Sequence, residues 1–248
     1  MHPYRIIILK FAVQLYTLRD DIKDAESFIE VLKKVKEIGF DGVELCFAYG
    51  LSYEELKAKM DEIGLVMVGR HASLDADFID NFDDVMNFSK VFDCKTVGIG
   101  GANIKDKESF DRAIEKLKIA AEKSKENGIS FYFHNHWQEF ENYEGIVPMD
   151  YIKEICELEV DTYWSFHAGV DTPKFLRENK DRIVHIHIKD GNGQVPCALG
   201  EGNATVKESL DVAKEIGLEW VILENDLPKP TGLEDIARSM EYLKKWQG

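Results

Sequence analysis

Short apolar runs alternate with longer amphipathic stretches along the whole chain. The runs predict strands over Ala12–Tyr16, Gly42–Cys46, Leu65–His71, Thr96–Gly100, Ser130–His134, Leu158–Tyr163, Ile183–Ile188 and Trp220–Glu224. Each is followed by a segment of helical periodicity.

The helices carry readable punctuation. Phe28, Ile29, Leu32, Val35 and Ile38 form one apolar stripe, with Lys33, Lys34 and Glu37 off it, and Gly39 stops the helix. Ser52 and Glu55 have capping-box spacing and open a helix that ends at Gly64. Asp106–Asn127 predicts a long helix ending at Gly128, and Thr205–Ile216 one ending at Gly217. Helix, glycine, strand is thus a grammar that recurs four times.

Strands alternating with helices imply a parallel sheet with right-handed crossovers. Eight such units in 248 residues imply closure into an α/β (β/α)8 TIM barrel, with residues 1–248 as one domain. Length alone also admits two small domains, but no linker or low-complexity tract divides the chain. The structural alternative, a doubly wound open sheet, wants a glycine-rich phosphate turn after its first strand, and Gln14-Leu15-Tyr16-Thr17-Leu18 is not one.

Charge narrows the function. Lys and Arg total 31 against 46 Asp and Glu, a formal charge of -15. That balance opposes nucleic-acid partners and anionic membranes but leaves a small-molecule site open. Cys46, Cys94, Cys156 and Cys197 form no CxxC pair, so reduced thiols in a cytoplasmic protein are expected. Arg5–Leu9 is too short for a signal core, and no apolar run reaches membrane-spanning length. In a cytoplasmic chain the sequons at Asn87 and Asn203 go unused.

In a TIM barrel the chemistry sits where the strands end. These ends carry Gln14 and Tyr16, Glu44, His71, Gly100 and Gly101, His134 and His136, Asp161, His187 with Lys189, and Glu224. In Ile183–Ile188 the apolar residues take one parity and the histidines the other, so His185 and His187 face the interior. His185 reads as a hydrogen-bonded core residue and His187, nearer the mouth, as functional. His134, Asp161, His187 and Glu224 make an N/O constellation, 27, 26 and 37 residues apart, suited to a divalent ion such as Mn, Co, Zn or Mg. Glu44 is flanked by Val43 and Leu45, and a buried glutamate without a purpose is costly, which favours substrate or acid/base work. His71 is expected to hydrogen-bond substrate. Trp137, Trp164 and Tyr16 suit either a sugar-pocket wall or ordinary aromatic packing. HExxH, GxSxG, a Walker loop and GxGxxG are all absent.

In chain order these segments resemble the xylose-isomerase-like TIM-barrel superfamily of sugar phosphate isomerases and epimerases, over nearly the whole chain. The likeness rests on Val13–Asp20, Gly39–Leu45, His134–Phe140, Asp161–Trp164, His167–Asp171, His185–Asp190, Gly200–Gly202 and Leu223–Asp226. The resemblance implies a metal held by Glu, Asp, His and Glu on strands five to eight. Asp161, His187 and Glu224 match the last three, while His134 falls where the first glutamate stands. It also implies proton abstraction next to a carbonyl through a metal-stabilised enediolate, shuttled by two glutamates. Of that pair Glu224 is retained, and the second carrier is left to His134, His136, Glu44 or Glu139. Lys189, His71, Tyr16 and Trp137 then serve substrate, a sugar or sugar phosphate. A homo-oligomer, dimer or tetramer, is compatible with the resemblance, and no apolar stripe marks its interface.

The altered first ligand keeps other reactions open. These are a keto-sugar or keto-inositol dehydratase on the same barrel and a non-catalytic sugar-binding barrel. The abasic-site endonucleases of the same superfamily need a three-metal site and a basic groove, which the charge of -15 opposes.

Overall fold

The computed structural model describes residues 9–248; Arg5–Ile8 of the N-terminal apolar stretch lie outside the described residues. Eight parallel strands close into a barrel. They are β1 (Lys10–Gln14), β2 (Gly42–Leu45), β3 (Val66–Ala72), β4 (Thr96–Ile99), β5 (Ser130–His134), β6 (Glu157–Asp161), β7 (Ile183–Ile188) and β10 (Trp220–Leu223). Neighbours run β1-β10-β7-β6-β5-β4-β3-β2 and back to β1. A short antiparallel hairpin, β8 (Asp190–Asn192) with β9 (Val195–Cys197), leaves the mouth after β7.

The helices are α1 (Ala25–Ile38), α2 (Tyr53–Ile63), α3 (Phe82–Phe92), α4 (Lys107–Glu126), α5 (Pro148–Ile155), α6 (Thr162–His167), α7 (Thr172–Glu178), α8 (Val206–Ile216) and α9 (Gly232–Gln247). The Ser52/Glu55 capping box forms, and equivalent boxes at Asp24/Ser27 and Asp106/Ser109 open α1 and α4. Each cap contributes about 1 kcal/mol. Gly64 and Gly217 end α2 and α8 with φ of 81° and 86°, where a side chain is strained. Phe28, Leu32 and Val35 of α1 are buried as its stripe predicts, and Ile29 and Ile38 pack at its edge. Among the described residues no helix is long and apolar enough to cross a membrane.

β1 and β6 end earlier than their apolar runs suggest. β1 stops at Gln14 and a 3-10 turn takes Leu15–Asp21, while β6 stops at Asp161 and α6 starts at once. The side chains explain both ends. Gln14 accepts a hydrogen bond from Tyr16 N, and Asp161 accepts one from Trp164 N. Each is a cap that turns the backbone out of the sheet.

Inside the barrel the apolar filling is thin. Ala12, Val68 and Ile222 form a small cluster of their own, apart from the large core between strands and helices. Above it sits a polar layer, and glycines give that layer its room. A Cβ on Gly98 would stand 2.2 Å from the Tyr132 ring and 2.3 Å from its carbonyl oxygen. A Cβ on Gly69 would stand 2.9 Å from Glu44 Oε1. Tyr132, fully buried, thereby crosses the barrel and donates to Glu44. Two register shifts fall at the same level, between Val43 and Glu44 and between Leu158 and Glu159. Such shifts re-aim side chains, and both here involve a buried glutamate.

Gly98→Ala is therefore expected to cost about 1–3 kcal/mol by overpacking. Thermal unfolding measures the change; a Gly98→Ala melting temperature equal to wild type would show that Tyr132 does not need this glycine.

Candidate active site

The barrel strands and the residues just past their ends bring polar side chains to the mouth, and most of these were readable in the sequence. His71, His134, His136 and Glu224 line a cavity of about 520 Å³ over the mouth, together with Tyr16, Phe47 and Asp226. Asp161 and His187 do not line it; both are fully buried, in contact with His134 and Glu224 respectively. The structure thus brings His134, Asp161, His187 and Glu224 together, with one donor atom of each within 4.8 Å of the others.

The His187 ring is held from below. His187 Nδ1 lies 2.9 Å from Glu224 Oε2, and Nε2 lies 2.8 Å from Glu44 Oε2 and 3.1 Å from Glu159 Oε2. Glu44 also accepts from Gln14 Nε2 at 2.6 Å and from the Tyr132 hydroxyl. Glu159 Oε2 lies 2.5 Å from His71 Nε2. Burial disfavours the charged form of His187, but Glu159, Glu224 and Glu44 outweigh it and hold its pKa well above the ordinary value. Burial likewise opposes the ionised form of Glu159, and His187 with His71 reverses that. His185 is buried beneath, its Nδ1 3.5 Å from Glu159 Oε1.

Some expected roles shift with this geometry. Glu44 is fully buried and grips His187 instead of facing the cavity. Lys189, expected against substrate hydroxyls, is also fully buried. Its ammonium lies 2.7 Å from Asp161 Oδ2, 2.7 Å from Glu224 Oε2 and 2.8 Å from Asp226 Oδ2. Burial opposes that charge, but the three carboxylates keep the Lys189 pKa well above its usual value. Trp137 faces His167, ring centroids 6.3 Å apart, and Trp164 donates to Asp226 Oδ2 at 3.2 Å. Glu139 is buried and accepts from the His136 backbone N–H at 2.7 Å.

Glu159, Tyr132 and Asp226 escaped the sequence reading. Glu159 had a signal, because it stands two residues before Asp161 with Leu158 and Val160 on either side, the pattern that marks His185 before His187. Tyr132 looks apolar in sequence, and Asp226 lies in a loop beyond β10.

The upper group suits a divalent cation. Donor atoms bonded to one ion at about 2.1 Å stand roughly 3.0–3.4 Å apart. His134 Nε2 is 3.4 Å from Asp161 Oδ2 and 3.5 Å from Glu224 Oε2. Both His134 ring nitrogens are buried without a hydrogen-bond partner, an expense that an ion removes, while Asp161 Oδ2 already has the Lys189 ammonium 2.7 Å away. The lower group of Glu44, His71, Glu159 and His187 also meets the spacing; in the upper group His187 and Glu224 are bonded as well, and the difference is that both His134 ring nitrogens are unbonded. Burial and His187 push the His134 pKa down, but Asp161 and Glu224 prevail and raise it to about 9. Burial, with His134 and Lys189, lowers that of His136 to about 4.

Two measurements follow from these positions. Protein purified without chelator is expected to carry about one Mn, Co, Zn or Mg per chain, lost in the Asp161→Ala/His187→Ala double variant. Elemental analysis beside circular dichroism decides it, and full metal content in a folded double variant would put the ion elsewhere. For His136 the pH window lies between 6.5 and about 4. There the unfolded chain takes up a proton that the folded chain refuses, so stability falls as pH drops. His136→Gln is expected to flatten that part of the melting-temperature profile; an unchanged acid slope would mean that His136 titrates normally.

The family description "xylose isomerase-like TIM barrel" matches residues 32–246. The chain is similar to an inosose dehydratase of Mesomycoplasma hyopneumoniae (strain J / ATCC 25934 / NCTC 10110), 25% identical over 265 residues and covering 88% of each chain. In fold it is similar to a sugar phosphate isomerase/epimerase from Parabacteroides distasonis ATCC 8503, with a TM-score of 0.78, 19% identity and coverage of 96% and 98% of the two chains. It is similar also to a 3-keto-D-glucoside 4-epimerase from E. coli, with a TM-score of 0.73, 17% identity and coverage of 96% and 100%.

Proposed function

The chain belongs to the xylose isomerase-like TIM barrel family, and from that premise we propose that it is a metal-assisted carbohydrate isomerase or epimerase. The reaction moves a proton on a carbon next to a carbonyl. One observation carries the reading: His134, Asp161, His187 and Glu224 converge in a buried cluster that opens to the cavity through His134 and Glu224, with both His134 ring nitrogens unbonded. When bound, a divalent ion supplies positive charge that draws electrons toward the substrate's carbonyl oxygen and acidifies the neighbouring C–H.

The chain's own residues do the rest. Glu224 reaches the cavity and is ionised at neutral pH, because Lys189 and His187 overcome the effect of its burial. It accepts the proton. A carboxylate of such low pKa is a weak base, so the acidified C–H is a requirement of the step. His136 lines the same cavity and is the second proton carrier; its lowered pKa leaves it neutral at rest, so the proton it delivers is one first taken up from solvent. Delivery of a proton to the same carbon from the opposite face by the second carrier gives an epimer and leaves Glu224 protonated until solvent takes its proton, whereas return of the proton from Glu224 to the adjoining carbon gives an isomer. Lys189 fixes Glu224 and Asp161, and Glu44 fixes the His187 ring.

Dehydration is the second reading, favoured by the likeness to inosose dehydratase. It shares the first proton transfer and then expels a hydroxyl from the next carbon.

Proton NMR in deuterated water, with keto-sugars and a keto-inositol and each metal in turn, tests both. Solvent deuterium in a recovered epimer or isomer supports the first reading, and loss of water supports the second. Absence of both from every substrate would leave a sugar-binding barrel. Glu224→Gln is expected to slow exchange by about 10²–10⁴-fold, and an unchanged rate would take the base away from Glu224.

A further inference from the structure

His71 lines the cavity over the mouth, and the proton transfers of Glu224 and His136 leave it unused. Its ring is nevertheless held in one way only. Nε2 lies 2.5 Å from Oε2 of the fully buried Glu159. The ionised Glu159 carboxylate can only accept there. Nε2 therefore carries the hydrogen, and the neutral ring presents a lone pair at Nδ1. A histidine mounted on a buried carboxylate keeps one tautomer and one orientation, and the carboxylate stabilises the ring when it takes a second proton.

Gly100 keeps the second nitrogen open. A Cβ on Gly100 would stand 2.9 Å from His71 Nδ1, closer than side-chain atoms pack, and Gly100 lines the same cavity. The His71 side chain is 13% exposed. One nitrogen is thus tied to the buried layer, and the other looks into the space that holds substrate. β1 and β2 stand between β3, which carries His71, and β10, which leads into Glu224. The two groups therefore reach the substrate from separate sides and act on different atoms of it.

Moving a carbonyl to the adjoining carbon takes two proton transfers. In the first, a hydrogen leaves carbon, a C=C bond forms and the carbonyl oxygen takes up the charge. In the second, the neighbouring hydroxyl loses its proton and the old carbonyl oxygen gains one. Epimerisation has no need of the second, because every oxygen keeps its proton. We propose that His71 carries this oxygen-bound proton, with Glu159 as its positioning residue, and that the site isomerises a ketose to an aldose. Nδ1 takes the hydroxyl proton as the new C=O forms. Glu224 returns its proton to the former carbonyl carbon, and Nδ1 gives its own to the former carbonyl oxygen. The ring ends as it began, and no outside reactant is consumed. This rests on proton transfer to Glu224 and selects the isomerase branch of that reading.

Proton NMR in deuterated water tests it, with the manganese-loaded protein and D-fructose, D-tagatose, L-sorbose and D-xylulose. Deuterium at C1 of the recovered ketose reads the carbon step, and aldose formation reads both steps. His71→Gln, whose amide can donate to Glu159 but cannot carry a proton, is expected to lower the ratio of aldose formed to deuterium exchanged about 100-fold. Gly100→Ala, which covers Nδ1 from the cavity side, is expected to lower the same ratio. A merely structural role for His71 would slow both steps together. An unchanged ratio in His71→Gln that is folded by circular dichroism would therefore overturn the proposal. If that variant does not fold, an unchanged ratio in Gly100→Ala overturns it instead. A wild type that makes an epimer and no aldose would also refute it. Wild-type protein that exchanges no deuterium on any of the four ketoses would remove the proton transfer to Glu224, and the role of His71 with it.

Discussion

His187 is bonded to carboxylates at both ring nitrogens, and the rest of the barrel interior is arranged around that arrangement. Glu44 and Glu159 hold it from below and Glu224 from the side. A fully buried imidazole cannot keep such company cheaply unless each carboxylate has further donors. Gln14 and Tyr132 serve Glu44, His71 serves Glu159, and Lys189 serves Glu224. Removing one member leaves the next charge buried and alone, which costs about 3–5 kcal/mol for a buried pair. The interior is consequently a coupled unit, and the mouth inherits its rigidity.

That unit explains features of the fold that look like defects in isolation. Glycines in the middle of β3 and β4 weaken strands in general, yet Gly69 and Gly98 are what allow Tyr132 and Glu44 to meet across the barrel. The register shifts in β2 against β3 and in β6 against β7 lie at Glu44 and Glu159, the two carboxylates that must aim at one imidazole. The alternative, an interior packed with branched apolar side chains, would give a more ordinary core and no oriented ring at the mouth.

Charge is also distributed with economy. The chain carries a net -15, but its site is not a bare acidic well. Lys189 offsets Asp161, Glu224 and Asp226, so a divalent ion would meet two imidazoles and two carboxylates already partly neutralised. Such a site favours an ion able to bond nitrogen over one that wants oxygen alone. It also keeps Glu224 ionised beneath a cavity open to substrate.

Much of this was legible in the chain. Alternation of apolar runs with helical stretches, closed off by glycines, gave eight βα units, because the helix period and the strand period are local properties of neighbouring residues. Parity along β7 placed His187 inward, and the strand ends supplied His134, Asp161 and Glu224, because a barrel directs its strand termini to one face. The assignments of Glu44 to substrate or acid/base work and of Lys189 to substrate were made from type and position alone, and packing gave them other partners: Glu44 lies under His187, and Lys189 among three carboxylates drawn from β6 and the loop after β10. Glu159 had the right parity, but nothing local marks the bulge that turns it toward His187. The sequence by itself determined the periodicity, the closure of the barrel and the ring of chemistry at its mouth. Only the tertiary structure decided which charges neutralise one another and which groups remain free to face the cavity, since those pairings join residues as far apart as Glu44 and His187 and depend on distances that no local pattern encodes.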